Sequence, residues 1–261
     1  MNYIKIMGGL GNQLFEYVFS KYIELVSGKA SVLYTDVYNT DYEKRTLGLD
    51  KFSCEYIEVT GPLLCDRMIL ETEMPDDLRV DKTFFAGYWQ DKKYYNEVRD
   101  QISGVISLKQ GYMTEYVRQK AQEITGCRDS VAMHIRRGDF LKGINTQVFV
   151  LQTMDYYRNA LRRIIDILGY KPTVYAFSED YEYLCAHRDE MEGCPVIPME
   201  PQKDYEDLYL MSCATHHIIA NSTFSWWSAA MAKEDGITIM PGKWYLDRED
   251  PDLRLDDWIM I

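Results

Sequence analysis

Apolar residues recur along the chain with two periods, and the alternation between them sets the expected architecture. Tyr3 to Met7 reads as a strand and Gly8 to Gly11 as a turn. Leu14, Phe15, Val18, Phe19, Tyr22, Leu25 and Val26 then mark one face of a helix over 12–27. A strand over 31–35 completes a βαβ unit. The stretch 36–81 holds neither period and reads as loop-rich with short helices, followed by a strand at 83–88 and helices over 94–106 and 114–125. From Val131 the pattern is regular. Strands at 131–135, 173–177, 196–197, 217–220 and 237–240 alternate with helices over 154–168, 181–191, 204–214 and 224–233. Repeated βα units build parallel sheets with helices on their faces. The expectation is an α/β protein with two parallel-sheet domains facing across a cleft. Residues 1–128 form the first and 129–245 the second, with the junction at Gly126–Asp129. A tail over 246–261 carries Leu253, Leu255 and Trp258 and is expected to pack back on the body.

The functional interest lies at strand ends, because open parallel sheets bind ligands beyond the carboxyl ends of their strands. Three polar clusters fall there. The first, His134 to Asp139, contains Arg136 and Arg137, neither with an obvious acidic partner at helical spacing, so both are expected to be open to phosphate oxygens. The second is Ser178-Glu179-Asp180. The third, Asn221-Ser222-Thr223, leads into Phe224-Ser225-Trp226-Trp227, a helix start whose N–H groups favour an anion. Each has a plainer reading: an RGD surface turn, an N-cap at Ser222 or Thr223, first-turn acids at Glu179 and Asp180. Their convergence on neighbouring strand ends points instead to a site for a phosphorylated ligand.

Composition narrows the partners. The 261 residues carry a formal net charge of −12, which repels nucleic acid and anionic lipid and leaves anion binding to a few concentrated cations. No apolar run reaches membrane-spanning length, and the first strand starts at once with no signal peptide in front of it, so a cytoplasmic protein without stable membrane insertion is expected. The six cysteines are scattered without zinc-ligand spacing and are expected to be idle thiols. A Cys185–Cys194 disulfide is allowed by spacing but not needed. His216 and His217 read as structural, and the acidic runs 36–41 and 249–252 as solvated loops. No metal site is expected.

Two other classes compete. Gly9-x-Gly11 after a strand, with Asp36 ending the next strand, approaches the dinucleotide-binding fingerprint and would suit an NAD-dependent oxidoreductase. Leu14 stands where that motif needs its third small residue, and Asn12-Gln13 is then expected to point into the cleft. The oxidoreductase reading leaves the arginine pair without a role. A non-enzymatic sugar binder would use the 21 Tyr and 5 Trp, but would not require an anion pocket.

Gly8-Gly-Leu-Gly-Asn-Gln-Leu-Phe-Glu-Tyr17, His134-Ile-Arg-Arg-Gly-Asp139, Phe177-Ser-Glu-Asp180 and Asn221-Ser-Thr-Phe-Ser-Trp-Trp-Ser-Ala229, in this order, resemble the α-1,2-fucosyltransferases of bacterial surface-glycan synthesis. The H-x-R-R-G-D element is shared with α-1,6- and protein O-fucosyltransferases, so another linkage stays open. The resemblance implies a GT-B-like fold of two Rossmann-like domains and a GDP-β-L-fucose donor. It also implies a galactose-terminated acceptor glycan, attack by O2 of galactose with inversion, and neither metal nor other cofactor. Peripheral approach to the inner membrane face would follow where the acceptor lies there. By the same resemblance Arg136 would bind the pyrophosphate and stabilise the departing GDP, with Arg137 partly structural. Ser222, Thr223 and Ser225 would offer donors to the phosphates. His134 and Asp139 would lie beside nucleoside or fucose. Ser178, Glu179, Asp180, Asn221 and Asp207 would complete the donor site, and Gly9, Gly11, Asn12 and Gln13 would face fucose and acceptor. No general base is named: Glu16 is expected to face solvent, and Asp36 is an alternative.

Overall fold

The computed structural model of the protein describes residues 1–40, 45–75, 77–232 and 236–261. The chain divides into two compact units, Met1–Lys109 and Gln110–Ile261. The acidic run 36–41 passes at Asp41, and the helix expected over 224–233 at Lys233, outside the described residues.

The first unit contains β1 (Asn2–Lys5), α1 (Leu10–Ser27), β2 (Ser31–Tyr34), β3 (Glu58–Val59), β4 (Arg67–Leu70), β5 (Thr83–Ala86) and α2 (Lys92–Ile102). The strands form one parallel sheet in the order β3-β2-β1-β5-β4. Phe19 of α1 stacks on Trp89 at 3.9 Å and meets Phe85 of β5 and Tyr94 of α2 edge-on at 5.4 and 4.9 Å. These four rings tie both helices to the sheet. Helix α1 stops at Gly28, whose φ of 63° is left-handed and lets its N–H reach the Glu24 carbonyl at 3.0 Å. The segment expected to be loop-rich holds β3 and β4. Both are edge strands, and only Ile69 of β4 is buried, so neither writes an alternating pattern into the sequence.

The second unit contains α3 (Glu115–Gly126), β6 (Val131–His134), α4 (Asn145–Val148), α5 (Met154–Leu168), β7 (Val174–Phe177) and α6 (Tyr181–His187). It continues with β8 (Val196–Pro198), α7 (Asp204–Ser212), β9 (His216–Ile218), α8 (Thr223–Ala230), β10 (Thr238–Met240) and β11 (Ile259–Met260). Its six parallel strands run β11-β10-β9-β6-β7-β8. Central strand β6 is buried on both faces. Val131 and Met133 pack with Tyr157, Leu161 and Ile164 of α5, while Ala132 packs with Val117 and Ile124 of α3 and Leu210 of α7. Because the apolar stripe of α3 is part of this core, the boundary lies at 109/110 and not at the expected 128/129. His217 closes on the Met211 carbonyl at 3.0 Å, and burial lowers its pKa to about 4. His216 accepts the Ile237 N–H on Nδ1 at 2.9 Å, so both histidines are built into the sheet. All six cysteines are free. Among the described residues no helix is long and apolar enough to cross a membrane.

The tail returns to the body. β11 pairs with β10, Trp226 donates its indole N–H to the Leu253 carbonyl at 2.7 Å, and Trp258 lies 5.5 Å from the Trp226 ring. With Trp258 only 6% exposed, Trp258→Ala should lower the unfolding free energy by about 3–5 kcal/mol. Urea unfolding checks this, and an unchanged midpoint would remove the tail from the core.

Candidate active site

The second sheet changes direction between β6 and β9. The chain runs outward from β6 to β8, returns, and runs outward again from β9 to β11. A crevice opens at such a switch point beyond the strand ends. The His134–Asp139 and Asn221–Thr223 clusters follow β6 and β9, and Ser178–Asp180 follows the adjacent β7.

The arginines are not left open, as the sequence had suggested. The β6–β7 register pairs His134 with Phe177 and continues with the Ile135 N–H on the Phe177 carbonyl, so the residues beyond both strands come abreast. Arg136 donates to Asp139 at 2.5 Å and lies 3.1 Å from Glu179. Arg137 donates through Nε to Asp180 at 3.0 Å, and its backbone N–H reaches Glu179 at 3.3 Å. Asp139 does stand at i+3 from Arg136, in the single 3-10 turn Gly138–Leu141. Gly138 allows the approach: a Cβ there would stand 2.5 Å from Glu179 Oε1. Each guanidinium also covers a ring, Arg136 that of Phe140 at 5.3 Å and Arg137 that of Tyr183 at 3.5 Å. Neither ring was identified from sequence, although Phe140 lies four residues from Arg136 and Tyr183 three from Asp180. Ser178 Oγ accepts the Asp180 N–H at 3.1 Å. Asp180 in turn caps α6 through the Tyr183 N–H at 3.1 Å, and that bond, then Arg137, lowers its pKa. Asp180 is thus both helix cap and ion-pair partner.

His134 is 4% exposed, and burial together with the Arg136 charge lowers its pKa to about 3, so the ring is neutral at physiological pH. Its ring lies 5.6 Å from Phe224 at the start of α8, joining the ends of β6 and β9. Ser222 sits at the N-cap position with no side-chain cap bond, and Thr223 opens the helix half-buried. Ser225 is spent on its own loop. It is fully buried, and its hydroxyl accepts the Ala220 N–H at 3.2 Å and bonds the Ser222 carbonyl at 3.3 Å. Asn221 acts as a clamp, its amide donating to the Val150 and Trp244 carbonyls at 2.8 and 2.9 Å. Asp207 lies in the first turn of α7, accepting the Gln202 N–H at 3.2 Å. Burial pushes its pKa up to about 7, with Glu206 and Asp204 adding to the rise against the opposing Gln202 bond.

In the first unit the glycine turn is braced from within. Gln13 is fully buried, donating to the Gly8 and Thr46 carbonyls at 3.0 and 2.9 Å and accepting the Gly48 N–H at 2.8 Å. It therefore locks two loops together. Asn12 is half-buried and accepts from Gln90 at 3.1 Å. Gly9 occupies the N-cap position of α1, and Gly11 is buried within it. Glu16, expected in solvent, is fully buried with Oε2 on the Met7 N–H at 2.9 Å. Asp36 accepts from the Tyr34 hydroxyl at 3.2 Å. Among the described residues no group of three His, Cys, Asp or Glu side chains could hold a metal ion.

Two fixed guanidiniums, a neutral imidazole and a helix N-terminus around one switch point are groups that can hold an anion. Known proteins resemble the chain in sequence and in fold. The chain is 29% identical to an α-1,2-colitosyltransferase of Escherichia coli over 94% of this chain and 92% of that one. It is 23% identical to the human galactoside α-(1,2)-fucosyltransferase 1, over 71% of this chain and 54% of that one. A crystal structure of POFUT1 in complex with GDP-fucose shares the fold, GT-B-like, with a TM-score of 0.51 at 11% identity, covering 91% of this chain and 97% of that one. The model of glycosyl transferase family 11 matches residues 65–261, three quarters of the chain. The oxidoreductase alternative falls with that match: the chain belongs to glycosyl transferase family 11 and is a glycosyltransferase.

Proposed function

We propose that the protein transfers L-fucose from GDP-β-L-fucose to O2 of a terminal β-galactose in an oligosaccharide or surface glycan, with inversion at the anomeric carbon. The observation that carries this reading is the pair Arg136 and Arg137 at the switch point of a sheet in a family 11 chain, with α-1,2-acting relatives. Arg136 binds the pyrophosphate and neutralises charge developing on GDP as the glycosidic bond breaks. Arg137 adds a second cation, and the α8 N-terminus with Ser222 and Thr223 adds N–H and O–H donors. Neutral His134 lies beside the nucleoside or the sugar as a hydrogen-bonding group. Asp207 contributes a carboxylate to ribose, guanine or fucose. The arginines supply the leaving-group stabilisation that a metal would otherwise give. A second reading concerns the donor sugar alone, because a relative aligned over nearly the whole chain carries a colitosyltransferase name. Colitose lacks one ring hydroxyl of fucose, and a site that hydrogen-bonds that hydroxyl rejects the deoxy sugar strongly.

The direct test is transfer to lactose in EDTA from GDP-fucose and, separately, from GDP-colitose. An α-1,2-fucosylated product without added metal is expected. Faster transfer of colitose would replace the donor, and activity appearing only with added Mg²⁺ or Mn²⁺ would end the metal-independent mechanism. Arg136→Ala should lower turnover on the order of 10²-fold while the protein stays folded, and near-normal turnover would refute the role of Arg136.

Asp207 yields a stability prediction of definite sign. Its folded pKa of about 7 lies above the ordinary 3.8, so the folded state holds a proton that the unfolded state has lost between those values. Stability from this group therefore falls as pH rises through that window, and its full cost is present above pH 7. Asp207→Asn should accordingly be more stable than wild type at pH 8, by about 1–3 kcal/mol. The advantage should shrink towards pH 5 in parallel thermal melts, and no advantage at pH 8 would show that the carboxylate is not penalised by burial.

A further inference from the structure

Behind Arg137 lies a stack that the donor-site residues do not account for. The Arg137 guanidinium carbon is 3.5 Å from the centroid of the Tyr183 ring, and the His187 ring is stacked on the same Tyr183 ring at 3.9 Å with 27° between planes. Two groups this close to one centroid cannot share a face, so Tyr183 is held between the cation and the imidazole. His187 is itself fixed. One helical turn after Tyr183 in α6, it donates from Nδ1 to the Tyr183 carbonyl at 2.8 Å. Asp180 holds the guanidinium edge through Nε at 3.0 Å. Edge and face are thereby both determined. Among the described residues no hydrogen bond is made by the two terminal nitrogens of Arg137, its one side-chain bond being that of Nε. Those are the nitrogens that present a parallel fork to a phosphate.

We propose that Tyr183, backed by His187, is a positioning residue that fixes the guanidinium plane of Arg137 so that its terminal nitrogens face the donor diphosphate. The inference rests on the donor-site reading above. A flexible Arg side chain must give up rotamer freedom when it binds a ligand, and holding it flat on an aromatic face removes most of that loss beforehand. Tyr183 needs only its ring for this role, because the cation meets the π-face and not the hydroxyl.

Calorimetric titration with GDP and with guanosine, using wild type, Tyr183→Leu, Tyr183→Phe and His187→Ala, tests the assignment. Tyr183→Leu should weaken GDP binding about tenfold, the scale of one partly desolvated cation–π contact, and leave guanosine binding unchanged. Tyr183→Phe should restore GDP affinity, and His187→Ala should show a smaller loss for GDP alone. Equal GDP affinity in wild type and Tyr183→Leu would overturn the proposal, as would a parallel loss for guanosine, which signals collapse of the whole site. If Tyr183→Leu does not fold, unchanged GDP affinity in His187→Ala overturns it. Wild-type protein that fails to bind GDP would instead overturn the donor-site reading on which the proposal stands.

Discussion

Placing two guanidinium cations at the buried end of a parallel strand is the constraint on which the site depends. A cation removed from water must be paired and hydrogen-bonded, or its desolvation cost falls on the fold. Here the pairing comes from a neighbouring strand. The β6–β7 register brings Glu179 and Asp180 to Arg136 and Arg137, and a slip of one residue would turn every side chain of β6 to the opposite face. The register is secured because both faces of β6 are buried, one under α5 and the other under α3 and α7. The packing of the sheet core thus fixes the charge geometry at its rim.

Much of this was legible in the sequence because the second unit writes its elements strongly. Strands buried on both faces appear as short apolar runs, and the helices between them carry the longer period. The polar clusters at Arg136, Glu179 and Asn221 stood out because each interrupts the pattern just past a strand. The pairing of the arginines was less legible. Glu179 and Asp180 lie more than forty residues away in sequence, and Asp139, although near, sits in a 3-10 turn that helical spacing rules do not describe. The aromatic faces behind both guanidiniums carried no signal that separates them from ordinary core residues.

Polar residues that serve the backbone explain the remaining differences. Gln13, Glu16 and Ser20 of α1 are all buried and recur at three and four residues, the spacing of an internal face. The sequence reading gave that face to ligand or solvent because it assumed that polar means accessible. The glycine turn before α1 leaves the Gly8 carbonyl and the Met7 N–H without strand partners, and Gln13 and Glu16 satisfy them. Ser225 and Asn221 do the same beside α8, Ser225 answering the backbone of its own loop and Asn221 the Val150 and Trp244 carbonyls of two other segments. A buried polar side chain near a glycine-rich or strand-end loop is therefore as much a loop brace as a candidate ligand contact. Asp207 stands on the other side of that distinction. Its one backbone bond does not offset burial, so the carboxyl lowers stability at neutral pH.

The charge count at the rim determines how an anion can enter. Two guanidiniums face three carboxylates, so the cluster carries excess negative charge before any ligand arrives. Among the described residues the terminal nitrogens of Arg137 carry no hydrogen bond, whereas at Arg136 both are held by Asp139 and Glu179, so engaging Arg136 takes an edge from a carboxylate, and the carboxylates differ in what they would surrender. The Asp180 carboxylate also caps α6, while Glu179 lies against Gly138 and holds the Arg137 N–H. Asp139 has the most exposed side chain of the three, 41% against 31% and 33%, and belongs to a single short turn. The aromatic faces at Phe140 and Tyr183 keep both guanidiniums in place while their edge partners change. A site built this way pairs both cations with carboxylates and braces both on rings before any ligand arrives.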